Sequence, residues 1–461
     1  MIYNEIRRLQ NAKEAIKTAI EATGTTVPDD ARLDEYASLI GGGSGAWHAP
    51  NPLRIINLTD ELNTVFLYYK NAVGLEYSFD GSEWITPVET RSGALLGYVE
   101  VPLRGLGSTM YFRAKHILTT SSSKLLSFTK DAKLEGNFSS LCESGEGAMI
   151  CNLGHIFAGG ARLTEVGEFE LPQPQRFYEF TLNALFANCR FLRKIGPITI
   201  QSDFALPANF TSSLFSGCTA LTEVGDITID VNDGYDYACQ NMFYGCSSLV
   251  TPPKIKITGR SGSSLFAGCF RGCTSLRQVA EIEHPSDLVG SCLFQNMYYG
   301  CTALTEAVVY QTDSIKTYEY NGMYNGCTAL TTVPELPATT LAAYCYAQMF
   351  YNCTSLVEGP SELPATSMVT SCYDQMFSGC TALTTAPVIR ATSWYSNAAK
   401  QMFYNCRSLN RLDIWATNWS SQTNWVSNVA ATGEFHKKAG VTISTGTSGI
   451  PTGWTVIEDV E

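Results

Sequence analysis

Charged residues are scarce in this chain. Asp, Glu, Lys and Arg make up 16% of its 461 residues, whereas an ordinary globular domain carries about a quarter. The net charge is −12 and the basic residues form no cluster, so no nucleic-acid partner is expected. The sequence also lacks any run of about 18 apolar residues, the length that indicates a membrane-spanning helix. We therefore expect no membrane insertion, and recognition through polar and aromatic side chains rather than through charge.

The signatures of catalysis and of metal binding are missing as well. The five histidines stand outside H-E-x-x-H patterns and outside nucleophile motifs. No glycine-rich loop has the strand and the lysine of a phosphate site, and no cysteines at zinc-ligand spacing have a histidine nearby. We predict no catalytic residue, no metal and no cofactor, and hence no enzyme.

A secretory signal is not expected either. Residues 1–24 carry Arg7, Arg8, Lys13 and Lys17 among their apolar residues and have no unbroken apolar core. Without a signal the chain is expected to fold in a reducing cytoplasm, so its sixteen cysteines are predicted to be free thiols.

One short pattern recurs through the middle of the chain. An aromatic residue is followed three positions later by a cysteine, and three positions after that by a leucine. The repeat cysteines, 26 to 29 residues apart, are Cys189, Cys218, Cys246, Cys273, Cys301, Cys327, Cys353, Cys380 and Cys406, with Gly160 in an earlier copy. A fixed period of this length indicates a solenoid, because each unit is too small to bury its own apolar face.

The spacing inside each copy predicts its local structure. Cys345, Met349 and Cys353 fall on one face of a helix, so a short helix of two or three turns is expected before each repeat cysteine. The residue before that cysteine is Gly or Asn in all ten copies, which favours a positive φ at the helix end. The repeat leucine is predicted to begin a short strand. Stacked coils would form a parallel strand ribbon, and wider helices on the other side would curve the solenoid.

The runs 345–356 and 372–383 resemble the BspA-like leucine-rich repeat family of Bacteroidetes surface proteins and their phages. The links Leu336-Pro337-Ala338-Thr339 and Leu363-Pro364-Ala365-Thr366 match as well, and the resemblance covers about residues 150–410. It implies a solenoid used for adhesion or recognition, with no catalytic chemistry. The predicted fold is mainly β with short helices, in a curved leucine-rich-repeat solenoid of about ten coils.

The remaining segments are assigned from their patterns. The predicted order is a helical attachment segment (1–40), a glycine-rich linker (41–46), a β-sandwich (47–118), a connection (119–150), the solenoid (151–410) and a tryptophan-rich C-terminal cap (411–461). The sandwich rests on alternating apolar residues and on an Asp-Gly hairpin turn at Asp80-Gly81.

The first forty residues are expected to assemble the protein. Apolar residues at heptad-like spacing occupy Ile2, Ile6, Leu9, Ile16 and Ile20. Isoleucine at several of these positions favours a trimer over a dimer, and a single amphipathic helix docked on a partner is the alternative. Residues 24–28 and 36–40 resemble the N-terminal attachment segments of phage tail-fibre and baseplate proteins.

Exposed aromatic side chains are the candidate binding residues. Tyrosines stand one residue after the core aromatic in copies where other copies carry Ala, Ser, Arg or Asn, which indicates an outward position. Aromatic side chains between the repeat motifs are candidates too, since such rings stack on sugars and anchor protein contacts. The predicted binding residues are Tyr244, Tyr299, Tyr351, Tyr404, Trp394 and Tyr395.

These features predict a phage virion protein, a tail or head fibre or appendage. Residues 1–40 would bind other virion proteins and form a homo-oligomer, and the solenoid would bind a host-surface glycan or protein. The protein would be assembled in the host cytoplasm and exposed on the particle. A bacterial cell-surface adhesin is the alternative, and a fibre-borne polysaccharide depolymerase is a third hypothesis that no motif supports.

Overall fold

The computed structural model describes Lys17 and most of the chain from residue 52 to residue 458. The described residues are Lys17, 52–68, 72–88, 98–114, 116–117, 125–136, 149–150, 154–159, 162–167, 169–171, 176–177, 182–202, 206–231, 236–259, 262–285, 290–310 and 315–458. The chain divides into two compact units, Met1–Pro50 and Asn51–Glu461. In the first unit only Lys17 is described, in a helix, so the predicted attachment segment with Ile2, Ile6, Leu9, Ile16 and Ile20 lies outside the described residues.

Twenty-four strands are described in the second unit. The first nine, in and beside the predicted sandwich, are β1 (Arg54–Asn57), β2 (Asn63–Leu67), β3 (Ala72–Val73), β4 (Glu76–Ser78), β5 (Val99–Leu103), β6 (Thr109–Arg113), β7 (His116–Ile117), β8 (Leu126–Phe128) and β9 (Ala132–Glu135). The next ten are β10 (Met149–Ile150), β11 (Leu163–Val166), β12 (Phe169–Leu171), β13 (Arg176–Phe177), β14 (Lys194–Ile195), β15 (Ile198–Ser202), β16 (Glu223–Val224), β17 (Ile227–Val231), β18 (Ile255–Ile257) and β19 (Ile282–Glu283). The last five are β20 (Glu362–Leu363), β21 (Val388–Ile389), β22 (Arg411–Asp413), β23 (Glu434–Lys437) and β24 (Thr455–Glu458).

The predicted β-sandwich is present. One sheet contains the antiparallel strands β4, β6, β1 and β9, and the other contains β5, β2 and β8. Side chains along β2 and β5 alternate between buried and more exposed positions, as a half-buried strand requires. Because β8 and β9 belong to these sheets, the sandwich includes residues 126–135 of the segment 119–150 that was predicted to be a connection.

The sandwich and the solenoid share one sheet. Strand β9 pairs antiparallel with β1 on one side and parallel with β11 on the other, which gives the seven-strand order β16-β14-β11-β9-β1-β6-β4. The amide of Leu125 donates to the carbonyl oxygen of Ile156 at 2.9 Å, the contact that a preceding coil would otherwise make. The sandwich therefore covers the N-terminal end of the stack and is not a separately packed domain.

Short parallel strands begin at or just after the repeat leucines Leu163, Leu192 and Leu221, as predicted, but the described residues directly after Leu304 and Leu330 form no strand. Strands β11, β14 and β16 pair in register from coil to coil, and β12, β15, β17, β18 and β19 form a second parallel ribbon. Isoleucine recurs in this second ribbon, where Ile198, Ile227 and Ile255 stand opposite one another and are buried. Each coil buries its apolar face against the next coil, and this burial stabilises the solenoid.

The predicted short helices are wrong. None of the described residues between 52 and 458 is α-helical. Around Cys218, amides alternate between two acceptors: Ser216 and Cys218 donate to carbonyls three residues back, at 3.0 and 3.1 Å, while Phe215 and Gly217 donate to the following coil, at 2.9 and 2.7 Å. We call this arrangement the turn ladder. It is a stack of four-residue turns that are hydrogen-bonded from coil to coil.

Left-handed residues every fourth position create the turn ladder. In one coil Tyr344, Gln348 and Asn352 have φ values of 58°, 55° and 57°. The Gly or Asn before each repeat position has a positive φ in all ten copies, as predicted, but it is one of a series and not a helix cap. An α-helix cannot contain such residues at intervals of four, because it requires φ near −63° throughout.

The repeat aromatics, the repeat cysteines and the repeat leucines each form a column in the solenoid core. The repeat aromatics, from Phe157 to Phe403, stack on their equivalents with ring centroids 5.3 to 5.8 Å apart. Every repeat cysteine donates its thiol to the carbonyl oxygen of the aromatic residue in the preceding coil, as Cys327 does to Tyr298 at 3.2 Å. All fourteen described cysteines are free, and only Cys292 is partly exposed. This agrees with the prediction of reduced core thiols.

The stack continues beyond residue 410, where the solenoid was predicted to end. Asn405 donates its amide to Ser427, and β22, β23 and β24 pair in parallel. Trp425 is fully buried beside Trp394 and Phe435, as expected for aromatics that close the stack. The described fold is a mainly β solenoid of about seven turns. The count of ten coils is not supported. Curvature was expected because helices are wider than strands, and that reason no longer holds because the described coils contain no helices.

Candidate binding surface

The outward side of the turn ladder is the surface on which the predicted tyrosines lie. From Tyr237 to Cys246, side chains follow the order one out, two in, two out, two in, two out, one in. We call the surface built by the outward residues the turn face. Residues two positions before the repeat cysteines from Cys246 to Cys406 form a line along it that we call the outer column. Its members are Tyr244, Arg271, Tyr299, Asn325, Tyr351, Ser378 and Tyr404.

Four of the six predicted binding residues lie in the outer column. Tyr244 is 44% exposed, and Tyr299, Tyr351 and Tyr404 are half-buried. They alternate along the stack with residues of other types, so two successive tyrosines are always two coils apart. The guanidinium of Arg271 lies between two of them, with its carbon 5.9 Å from the ring centroid of Tyr244 and 4.4 Å from that of Tyr299. Both distances fall within the range of cation–π attraction.

The other two predicted residues lie elsewhere. Tyr395 is 60% exposed but stands outside the outer column. Trp394 is only 2% exposed, its indole N–H donates to the carbonyl oxygen of Ala391 at 2.7 Å, and its ring packs against Trp419. A side chain enclosed in this way cannot contact a surface ligand, so the prediction for Trp394 is wrong.

A second aromatic line on the turn face lies outside the six predicted binding residues. Residues nine positions before the repeat cysteine are left-handed in successive coils, and we call them the left-handed column: Asn209, Tyr237, Ser264, Cys292, Tyr318, Tyr344, Ser371 and Asn397. Tyr318 and Tyr344 are partly exposed and stack with centroids 4.6 Å apart and planes 2° from parallel.

The left-handed backbone conformation at Tyr318 and Tyr344 is unfavourable in free energy for tyrosine. Asn tolerates a positive φ because its short polar side chain bonds locally, whereas a bulky aromatic residue there is an outlier. Coils with Asn209 or Asn397 satisfy the same position at lower strain. Strained residues that a fold retains cluster at functional sites. The signal was available in the sequence as tyrosine at a position that other coils fill with Asn or Ser.

Amide side chains link the coils between the two columns. The Gln295 amide nitrogen donates to Asn321 Oδ1 at 3.2 Å, and Asn321 Nδ2 donates to the carbonyl oxygen of Ala347 at 3.1 Å. Asn325 Nδ2 lies 3.5 Å from Gln348 Oε1. The turn face thus offers polar donors and acceptors flanked by aromatic rings and carries few charges here.

One carboxylate on the turn face is perturbed. Burial raises the pKa of Asp374 above its ordinary value, while a hydrogen bond from Gln375 and the positive charge of Lys400 act in the opposite direction.

Some tyrosines expected at the surface are buried. Tyr310 and Tyr320 lie in the core, where the Tyr310 hydroxyl donates to the carbonyl oxygen of Ala280 at 2.7 Å and lies 2.7 Å from the Tyr298 hydroxyl. Burial raises the pKa of Tyr298 and Tyr324 well above the ordinary value for tyrosine. Both are fully enclosed in the core.

The strand side of the solenoid has a different chemistry. Ion pairs join successive coils there, such as Lys194 with Glu223 at 3.0 Å and Arg390 with Glu362 at 2.7 Å. A shallow groove with a volume of about 490 Å³ runs past Pro197 and Pro252 and touches none of the predicted binding residues. Surface ion pairs of this kind stabilise little and are weakened by salt.

Within the described parts of the chain, no group of three or more His, Cys, Asp or Glu side chains could hold a metal ion. Those same parts contain no helix long and apolar enough to cross a membrane.

Comparison with known proteins identifies the repeat. A family model described as "BspA type Leucine rich repeat region (6 copies)" matches residues 182–325 and 292–430, more than half of the chain. No curated protein matches the chain. A solved chain described as "Crystal structure of TLR13-ssRNA13 complex" is 13% identical over 66% of this chain, with a TM-score of 0.22. The match spans 47% of that chain, about half its length.

Proposed function

Because the chain belongs to the BspA-type leucine-rich repeat family, we propose that it is a binding protein whose turn face contacts a glycan or protein on a host surface. The observation that carries the proposal is the stacked pair Tyr318 and Tyr344. These rings are partly exposed, parallel and held in left-handed backbone. Exposed aromatic rings beside amide donors and acceptors are a common recognition surface for sugars and for protein contacts.

The role we propose is binding without catalysis. The turn face brings together tyrosine rings and amide side chains, and the proposal assigns none of them the role of nucleophile, general acid or general base. A depolymerase that cleaves host polysaccharide is the competing hypothesis. Incubating the protein with host capsular polysaccharide tests it, because released oligosaccharides would contradict a purely binding role.

For location we propose a phage particle, with the protein as a tail or head fibre or appendage. The support is the resemblance of residues 1–40 to phage attachment segments, together with the adhesin-like repeat. Residues 1–40 would bind other virion proteins and assemble a homo-oligomer, for which a trimer is favoured. Mass spectrometry of purified virions tests the location, and absence of the protein from the particles would contradict it.

Deletion of residues 1–40 tests the attachment role separately. The truncated protein should be monomeric by light scattering and absent from particles. Truncated protein that still enters particles would place attachment elsewhere. A truncated protein that stays oligomeric would place the interface in the sandwich or the solenoid.

Variants of the stacked pair test the binding face. Tyr318→Ser with Tyr344→Ser should lower binding to host cells while relieving backbone strain, so the thermal stability should not fall as binding does. Leu106→Ser is the matched control, since Leu106 is 64% exposed on the sandwich. Equal binding by the wild type and the double variant would remove these tyrosines from the site.

A bacterial cell-surface adhesin remains the alternative, because the repeat family itself supports it. Genes for virion structural proteins beside this gene would favour the phage role, and genes for outer-membrane proteins or lipoproteins would favour the adhesin.

A further inference from the structure

Arg271 shows which group fits between two tyrosines of the outer column. It belongs to the coil between those of Tyr244 and Tyr299, and its guanidinium carbon lies within 5.9 and 4.4 Å of their ring centroids. A guanidinium is planar and weakly hydrated, so it stacks on aromatic faces better than an ammonium does. The chain therefore fills the first interval between outer-column tyrosines with its own cation.

The next two intervals follow in the same order along the stack but carry a short side chain. Asn325 stands between Tyr299 and Tyr351, and Ser378 stands between Tyr351 and Tyr404. Spacing along the stack is uniform, since the core rings beneath these coils lie 5.5 to 5.8 Å apart. Two tyrosines two coils apart therefore flank each interval as they flank Arg271.

The side chains at these two positions do not occupy the intervals. Asn325 is 7% exposed and directs its amide to Gln348, and Ser378 is 3% exposed. Each is buried below the surface, in the coil between two coils that carry an outer-column tyrosine. Neither carries a charge, and among the described residues Arg271 is the only cation that stacks on a tyrosine of the outer column.

We propose that these two intervals are binding slots for arginine side chains of a basic protein segment. The proposal rests on the binding role proposed above and names its partner class. The net charge of −12 favours a cationic partner. Two coils span about 11 Å, and a segment in the polyproline II conformation rises about 3.1 Å per residue with three residues per turn. Such a partner should present arginines at positions i and i+3, which lie on the same side of the segment and face the stack.

The test uses the full-length protein and a short probe peptide with two arginines separated by two glycines, titrated by calorimetry. Saturable binding is expected, and the same peptide with lysines should bind more weakly. Tyr351 belongs to both slots, so Tyr351→Leu should weaken binding by about five-fold or more. Tyr351→Phe should retain most of it, because the ring remains.

Filling and emptying the slots gives the sharpest contrast. Ser378→Arg should reproduce the arrangement around Arg271 and remove one slot, and Asn325→Arg should do the same for the other. Arg271→Ala should open a third slot and raise the binding capacity for single arginine-amide ligands. Phe79→Ser is the control, since that ring is 49% exposed in the sandwich, away from the turn face. Thermal melts of each variant check that the fold is kept.

The two proposals can fail separately. If arginine peptides do not bind, or if lysine peptides bind equally well, the slot assignment is wrong, even where the Tyr318 and Tyr344 variants show that host-cell binding depends on the turn face. Binding of neutral oligosaccharides at Tyr351 without binding of arginine peptides would also overturn it. Arginine binding that Ser378→Arg and Asn325→Arg leave unchanged would place the site elsewhere.

Discussion

The sandwich and the solenoid contribute strands to one sheet, but they are held together by different kinds of contact. In the sandwich unlike residues meet once: Arg54 pairs with Glu135 at 2.9 Å, and Arg113 with Glu76 at 2.7 Å. In the solenoid the same contact recurs from coil to coil. A repeat aromatic stacks on its equivalent, as Phe243 does on Phe270, and a repeat cysteine donates its thiol to the aromatic residue of the preceding coil, as Cys273 does to Phe243. A change of conditions that affects one residue type therefore acts once in the sandwich and many times in the solenoid.

Alkaline pH should lower the free energy of unfolding of the solenoid more than any other change considered below. Burial raises the pKa of Cys273, Cys327 and Cys380 to about 12, while an unfolded thiol has a pKa of about 8.5. Their contribution to stability is complete below pH of about 8.5 and is lost as the pH rises toward 12. Each buried thiol should cost about 1.4 kcal/mol per pH unit across that window.

Denaturant unfolding followed by circular dichroism at pH 7 and pH 9.5 measures this effect. The sequence from 52 to 136 contains no cysteine, so the sandwich contributes no thiol ionisation to the pH dependence of stability. Cys327→Ala should reduce the pH dependence by one thiol. Equal free energies of unfolding at the two pH values would refute the buried-thiol account.

Truncating a repeat leucine should have the next largest effect. Leu330 is fully buried, and Leu330→Ala should lower the free energy of unfolding by about 2–5 kcal/mol through lost burial and a cavity. Leu106→Ala on the sandwich surface should change it by less than about 0.5 kcal/mol. A loss under about 1 kcal/mol for Leu330→Ala in denaturant melts would contradict the core assignment.

Contacts between left-handed positions of adjacent coils can be isolated with two glycines. A Cβ on Gly379 would lie 2.1 Å from Asn352 Oδ1, whereas one on Gly245 would meet nothing within 4 Å, and their φ values are 79° and 71°. Both alanine variants should lose about 1 kcal/mol from the backbone, and Gly379→Ala should lose more. Adding Asn352→Gly should remove the excess, and equal thermal shifts for the two single variants would contradict the contact.

Thiol labelling should sharpen the comparison without changing stability. Alkylation of the folded protein, read by peptide mass spectrometry, should modify Cys292 first among the described cysteines, because the others are buried. Burial also raises the pKa of Cys292, so labelling should accelerate with pH. After denaturation nearly all sixteen cysteines should react, and protected pairs would indicate disulfides.

The sequence predicted the solenoid because its core residues recur, and burial of the repeat cysteines, aromatics and leucines follows from that recurrence. It misled on the turn ladder, since Cys345, Met349 and Cys353 at spacing four suit a helix and a four-residue turn alike. Gly or Asn also stands five residues before several repeat cysteines, as Asn241, Gly268, Asn296 and Gly322. That second series distinguishes the turns from a helix.

Two further features could not be predicted from the residues that neighbour them in sequence. Parallel pairing of β9 with β11 joins segments that share no motif, so the common sheet had no local signal. The outward position of Tyr244 and Tyr299 was predictable from the residue types at equivalent positions. The burial of Trp394 depends on distant partners, Trp419 and Trp425, which its neighbours in sequence do not reveal.

The coil-to-coil amide bonds of the turn ladder all run in one direction, and this gives the stack two chemically different ends. The last turns would present N–H groups and the first turns carbonyl oxygens. Thr447 and Ser448 accept from Val426 and Gln422, at 3.2 and 3.4 Å, at one end, and the sandwich supplies a donor at the other. Without these covers the ends of two molecules would complement each other, and head-to-tail polymers could grow. The covers at the two ends therefore limit the stack to a single molecule, in addition to stabilising it.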